Sequence, residues 1–346
     1  MNVDYIVVGS GLAGLLFCHE LLEHDKSFMV ISDDSQRSSM VAGGLYNPVV
    51  LKRFTEVWRS HEQIALVNSE YNKLERRLQV TLDQKLPVYR MFASIEEQNN
   101  WFQASDKPVL RSYMSPTIEH IDNPYIKASY GFGKVNQTGR IDTELLIQTF
   151  KHYLIDKDQF LDSTFQYDQL EIDDKKMRYQ NIEAKHIVFA EGFGLKKNPF
   201  FKHLPLKGTK GELLTIDAPL LNIDFVLKSS AFIIPLGEHT YRVGATYEWT
   251  DKSHTVTQEA RDELLNKLYT MINCKFKVLD QVAGIRPTVI DRRPLVGRHE
   301  HHKNLFVLNG LGTRGVMIAP FVAKQLFNYI ENGTELVPEI NCLRFS

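Results

Sequence analysis

Two glycine patterns and a scatter of polar residues are the parts of this sequence able to do chemistry. Gly9-Ser10-Gly11-Leu12-Ala13-Gly14 follows the apolar run at residues 5–8 and precedes a helical pattern of Leu12, Leu15, Leu16, Leu21 and Leu22. In that context the first glycine permits a tight turn, the second lets backbone approach a pyrophosphate, and the third lets helix and strand pack closely. The helix N-terminus then offers free N–H groups and a partial positive charge to phosphates. An acidic partner for a ribose should follow about 20 residues later, at the end of the next strand. The usual position falls on Ser32, so Asp33, the candidate, or Asp34 must reach round by one residue. The second pattern, Gly310-Leu311-Gly312-Thr313-Arg314-Gly315, has no strand and acidic residue after it and is not an independent nucleotide site. Either it is a plain glycine turn, or the helix after it, expected to begin near Pro320, aims its N-terminus at a ring that gains negative charge.

These residues need elements to hold them. Residues 5–8, the helix after them and Phe28 to Ile31 form a βαβ unit, so the sheet should be parallel. A helix is predicted over 56–78, an irregular stretch over 81–138, a helix over 142–154 and a buried strand over Ile187 to Ala190. Residues 211–249 alternate as antiparallel strands do, a helix follows at 257–272, and the chain returns to strand, glycine turn and helix over 305–330. Parallel-sheet texture that leaves and returns implies a discontinuous first domain. The expected fold is α/β: a Rossmann-type domain from 1–80, 139–204 and 282–346, and an α+β domain on an antiparallel or mixed sheet from 81–138 and 205–281.

Composition narrows the function. The 346 residues carry 41 Lys plus Arg against 42 Asp plus Glu, so no global field draws in nucleic acid or anionic membrane. Lys52, Arg53, Arg76 and Arg77 form short basic clusters of the kind usual on solvated faces. Cys18, Cys274 and Cys342 lack metal-ligand spacing and fit a reducing compartment; Cys18 falls on the apolar face of the first helix as a core residue. His299, His301 and His302 read as a mobile loop, and no metal is expected. No apolar run reaches the length of a membrane span, and Asp4 interrupts any leader-like start, so the expected location is the cytoplasm. The sequence is silent on oligomeric state.

In order along the chain stand the first glycine pattern, S-S-M-V-A-G-G-L-Y-N-P (38–48), I-V-F-A-E-G (187–192), K-G-E-L-L (210–214), R-V-G-A-T-Y (242–247), A-G-I-R-P-T (283–288) and N-L-F-V-L-N-G-L-G-T-R-G-V (304–316). Together they resemble the FAD-dependent D-amino acid oxidase superfamily, most closely its glycine oxidase and sarcosine oxidase branch. The resemblance implies a non-covalent FAD. It places Ser38 and Ser39 by the pyrophosphate and Ala42, Gly43 and Gly44 along the flavin. Thr164 to Tyr167 would run past the adenine, with Gln166 the single best choice, and Gly192 would also face the cofactor. Gly312, Thr313, Arg314, Gly315, Val316 and Met317 would bring the last helix to the flavin ring.

Arg286 matches the arginine that binds a substrate carboxylate in glycine-oxidase-like enzymes, a task suited to a guanidinium that makes two parallel charge-assisted hydrogen bonds. Two departures stand out. Phe232 occupies the place of a tyrosine in those enzymes, and Tyr247 could supply the missing hydroxyl or pack as core. L-G-T-R-G and G-L-Y-N-P resemble equally the oxidase domain of the bifunctional tRNA wobble-uridine modification enzyme. The expected reaction is oxidation of the C–N bond of a small amine or amino acid by hydride transfer to flavin N5, giving an imine, with dioxygen a candidate acceptor. Three alternatives stand beside it: an oxidase acting on a carboxymethylaminomethyl group of tRNA, a nicotinamide-dependent dehydrogenase, and a flavin-binding protein without activity.

Overall fold

A computed structural model describes residues 1–173 and 176–345. Strand β1 (Asn2–Val8) leads through the glycine turn into helix α1 (Leu12–Glu23) and back to strand β2 (Phe28–Ser32). β1 pairs in parallel with β2 and with strand Ile182–Phe189; β2 pairs in parallel with Phe160–Asp162, and Ile182–Phe189 with Leu305–Asn309. All five residues of β2 are buried, as continuous apolar runs must be when both faces of a parallel sheet are covered. Alternate residues of β1 serve the two faces. Tyr5 and Val7 join a core with α1, α2 (Ser60–Leu78), α4 (Thr143–Ile155) and α6 (Gly315–Asn332), while Ile6 and Val8 pack with Phe165, Tyr179 and Leu195.

The second sheet runs in the order Lys277–Val289, Leu206–Asp217, Thr240–Gly244, Phe232–Gly237, Val226–Lys228, Val88–Met91, Phe132–Val135, Met114–Glu119. Every neighbour pair is antiparallel except Val226–Lys228 with Val88–Met91. Helix α5 (Gln258–Met271) packs on one face, and α3 (Ile95–Ser105) with residues 49–54 on the other. Strand Lys277–Val289 runs unbroken through the expected break at 282 and stays in this sheet to its end. On sheet membership we propose that the division between the two units falls after Val289.

Two elements differ from the sequence reading. The stretch 81–138 contains α3, whose Ser94 side chain accepts the Glu97 N–H at its start; the S-x-x-E signal was present but short of a long apolar stripe. The last helix begins at Gly315 and holds Pro320 in its interior instead of starting near it. A proline there removes the N–H that would bond the carbonyl four residues back. That carbonyl, on Val316, accepts the Tyr71 hydroxyl from α2 at 2.9 Å, so the helix continues with its acceptor satisfied.

Tight packing holds α1 to the sheet. A Cβ added to Gly14 would lie 2.0 Å from the Gly9 carbonyl oxygen and 3.4 Å from Ala190 Cβ. Replacing Gly14 by Ala is therefore expected to cost about 1 to 3 kcal/mol of stability, the usual penalty for overpacking, or more where backbone must move. Urea denaturation of the variant at wild-type stability would show that α1 can slide away from β1.

Candidate functional site

A cavity of about 1320 Å³ lies where the carboxyl ends of the parallel strands face the second sheet, the place where open α/β sheets bind ligands. Its glycine-turn end is lined by Gly9, Ser10, Gly11, Leu12 and Ala13. Gly11 precedes α1 with no side-chain cap, leaving first-turn N–H groups to the cavity. A Cβ on Gly11 would meet only Ser39 Oγ, at 3.3 Å, so this glycine keeps space open for a ligand and Gly14 serves packing. Ser39 Oγ accepts the Leu12 N–H at 3.2 Å and brings 38–39 against the helix start. Ser38, Ala42, Gly43 and Gly44 continue along the wall.

At the end of β2 the two ribose candidates separate. Ser32 lines the cavity, and its Oγ accepts the Ser10 hydroxyl at 2.9 Å and the Ser10 N–H at 3.2 Å. Asp33 is half-buried in the lining, taking the Ser35 N–H at 3.0 Å and the Thr164 hydroxyl at 2.6 Å. Burial works to raise its pKa, but these hydrogen bonds outweigh it and hold the carboxyl below its ordinary range. Asp34 is exposed and stands outside the lining. Of the 164–167 segment, Thr164, Phe165 and Tyr167 line the cavity, whereas Gln166 does not and folds its amide back to the Thr164 carbonyl.

Glu191 faces the same end. Burial pushes its carboxyl up to about 7, although Tyr167 and Asn198 donate hydrogen bonds to it, and Asp33 adds like-charge repulsion. Nothing in the sequence beyond the strand ending A-E-G marked this residue. Gly192, next along, offers its carbonyl to Asn309 Nδ2 at 2.9 Å, which ties the end of strand Leu305–Asn309 to that of Ile182–Phe189. Gly312, Thr313, Arg314, Gly315, Val316 and Met317 all line the cavity. Arg314, the residue before α6, donates to the Asn47 carbonyl at 3.0 Å, and burial lowers its pKa.

The second sheet supplies the opposite wall. Arg286 is half-buried, and its guanidinium lies over Gly211 on the neighbouring strand, where a Cβ would fall 2.0 Å from Nη2. Nη1 donates to the Thr246 carbonyl at 3.3 Å, and the Tyr247 ring centroid is 4.9 Å away. Burial lowers the pKa of Arg286, and no carboxylate among the described residues forms an ion pair with it. Tyr247 is 59% exposed at the cavity edge, so it is not a core residue. Phe232 lines the floor, as does Lys228, which the sequence reading passed over because a lysine closing a short apolar strand carries no motif. Lys52 and Arg53 line the cavity, while Arg76 and Arg77 stand outside it, Arg77 pairing with Glu23 at 2.6 Å. Cys18 is buried in the α1 core, and among the described residues no group of His, Cys, Asp and Glu is arranged to hold a metal.

Residues 4–328 match the DAO family, described as FAD dependent oxidoreductase. The chain belongs to that family. Glycine oxidase of Bacillus subtilis (strain 168) is 29% identical over 161 residues, 44% of this chain and 42% of that protein. The bifunctional tRNA 5-methylaminomethyl-2-thiouridine biosynthesis protein MnmC of Nitrosospira multiformis is 26% identical over 171 residues, 45% of this chain and 27% of that protein. The matched region thus spans less than half the length of either relative. The crystal structure of glycine oxidase from Geobacillus kaustophilus superposes with a TM-score of 0.81 at 16% identity, covering 100% of this chain and 98% of that one. The DAO fold is therefore shared along the whole chain.

The chain thus belongs to a family described as FAD dependent oxidoreductase. Its cavity suits FAD on features of its own: a helix start whose N-cap Gly11 has no side chain, a paired acid at Asp33, and a second helix start at Gly315. No helix among the described residues is long and apolar enough to cross a membrane.

Gly11→Val is expected to fold with near wild-type stability yet copurify without FAD, because its side chain enters ligand space and not protein. A yellow, FAD-saturated variant would place the pyrophosphate elsewhere. Glu191 gives a pH signature. Its folded pKa of about 7 lies above the ordinary 4.5, so the folded state keeps a proton the unfolded chain gives up. Cofactor-free protein should therefore lose stability as pH rises from 4.5 to 7 and level off above. Calorimetric melting across that range should show this component in wild type and not in Glu191→Gln; identical curves would remove Glu191 from the account.

Proposed function

We propose that the chain oxidises the C–N bond of a small amine or amino acid bearing a carboxylate, with Arg286 as the carboxylate anchor. The observation that carries this reading is the guanidinium of Arg286, half-buried over Gly211 with one carbonyl contact and no ion-pair partner among the described residues. A cation drawn out of water without a counter-ion is costly, and a bound carboxylate supplies one. Bound FAD would supply the two-electron acceptor for a hydride from the carbon beside nitrogen, with the nitrogen lone pair forming the C=N bond that water hydrolyses. Arg286 holds the acid end and so fixes which carbon faces the cofactor. An amine bound neutral needs no dedicated base, in keeping with a wall of apolar and cationic groups at Leu213, Phe232, Ile234 and Arg286. The three cysteines are buried, unpaired and absent from the lining, which supports a non-covalent FAD and a reducing compartment.

A second reading is supported by the MnmC match and by the cavity edge. Lys52, Arg53, Arg292 and Arg293 line it together with Trp249, which is 55% exposed. Cations beside exposed rings suit phosphates and stacked bases, so a carboxymethylaminomethyl group presented on RNA is the alternative substrate, its carboxylate meeting the same Arg286.

The test is anaerobic bleaching of the flavin by glycine, sarcosine, D-amino acids and modified tRNA. With the acid that bleaches it, Arg286→Ala should cost about 2 to 5 kcal/mol of binding or transition-state stabilisation, with FAD retained. Arg286→Lys should recover only part, since an ammonium cannot reproduce the two-pronged geometry. Unchanged kinetics in Arg286→Ala would leave Arg286 a structural residue.

A further inference from the structure

Lys228 is the feature of the cavity that this reading leaves unused. It closes strand Val226–Lys228 and is the cross-strand partner of Phe232, which in turn pairs with Gly244, and Gly244 with Leu213. Directly paired residues project from the same face of a sheet, and all four line the cavity. The ammonium sits 4.5 Å from the centroid of the Phe232 ring and donates to the Ser229 carbonyl at 2.7 Å. Its neighbours are already satisfied: Arg90 on the adjacent strand pairs with Glu97 of α3 at 2.6 Å, and Lys267 of α5 pairs with Glu263. Lys228 has no ion pair among the described residues, and burial, with Arg90 and Lys267 adding repulsion against a weaker pull from Glu97, lowers its pKa to about 8.

The register sets the distance between this cation and Arg286. The Arg286 guanidinium lies over Gly211, two residues along the strand from Leu213, and Leu213 is two strands from Phe232. Taking the ammonium at the Phe232 ring it lies against, one strand short of its own backbone, strands about 4.8 Å apart, rising about 3.3 Å per residue, put it about 12 Å from the guanidinium. A charge-assisted contact takes up roughly 3 to 4 Å at each end. About 5 Å then separates two anionic carbons held at both ends, too far for one carboxylate to touch both cations. Arg314, at the start of α6, donates to the Asn47 carbonyl and shares Tyr247 with Arg286 as its titratable neighbour, so it stands at the Arg286 end.

We propose that Lys228 is a second anion-binding residue, so that the substrate is a small amine carrying two carboxylates two or three atoms apart, one held by Arg286 and one by Lys228. The reacting C–N bond lies between the two poles, and monocarboxylate amines fill only half the site. This rests on the amine-oxidase reading above for the reaction, and on the positions of the two cations for the substrate class.

The experiment uses FAD-loaded protein in two arms. In the first, calorimetry measures acetate, malonate, succinate and glutarate, none of which can be oxidised at a C–N bond. Succinate or glutarate should bind at least tenfold tighter than acetate at pH 7. That advantage should fall away as pH rises through about 8, where the ammonium loses its proton. Lys228→Met should abolish the dicarboxylate advantage, and Lys228→Arg should keep it at pH 9. In the second arm, anaerobic flavin reduction compares iminodiacetate and D-glutamate with sarcosine and D-alanine, and the diacids should saturate at least tenfold lower in wild type but not in Lys228→Met. Equal affinity for mono- and dicarboxylates, or a ratio untouched in Lys228→Met, overturns the proposal. So does a modified oligonucleotide that reduces the flavin while succinate fails to compete. Lys228-dependent binding of diacids with no bleaching by any amine would instead sink the amine-oxidase reading and leave the anion site standing.

Discussion

The contact between Gly14 and the backbone of Gly9 sets the geometry on which the cavity depends. With no side chain on either residue, α1 closes onto the ends of β1 and Ile182–Phe189, and Ala190 seals the junction. The first turn of α1 therefore points past the strand ends instead of lying along them, and its N–H groups reach open space beyond Gly11. Every other wall is arranged around that opening: Ser39 bonds Leu12 N–H, Ser32 bonds Ser10, and Asn309 ties Gly192 to the last strand.

Charge is divided along the cavity by the same framework. The end near β2 holds Asp33 and Glu191, both hydrogen-bonded, the second kept protonated into the neutral range by burial. The wall built by the antiparallel sheet holds cations without acids. An arginine or lysine seldom sits half-buried without a partner in a protein whose 41 basic and 42 acidic residues could supply one. Arg286 and Lys228 on that wall, and Arg314 at the start of α6, each donate to a backbone carbonyl and, among the described residues, to no carboxylate. That pattern keeps the residues in place and leaves their charge without a counter-ion among the described residues.

The parallel half of the fold was legible because its signals are local. The turn at Gly9 to Gly14, the buried runs of β1 and β2, and the capped start of α4 at Asp142 each depend on a few adjacent residues, as does the capped start of α5 at Thr257 in the other half. Pro320 misled for the complementary reason. Its effect on the helix is decided by Tyr71, 245 residues from Val316, whose hydroxyl takes the carbonyl that proline leaves free. Helix α3 was missed because its start signal is local but its apolar anchor, Trp101, packs under Gly133 of a distant strand.

The sequence by itself determined the glycine turn and the βαβ unit, because backbone freedom and residue order specify them without reference to the rest of the chain; Arg286 stood out only through the family resemblance. Only the tertiary structure decided that Ser32 and Asp33 line the cavity while Asp34 stands outside it, and that Thr164, Phe165 and Tyr167 line the wall while Gln166 folds back. It alone joined Arg286, Gly211, Phe232 and Lys228 on one sheet face. Cross-strand register brings together residues tens of positions apart, and a one-residue slip would turn each of them to the other side. No local pattern in the chain records that alignment.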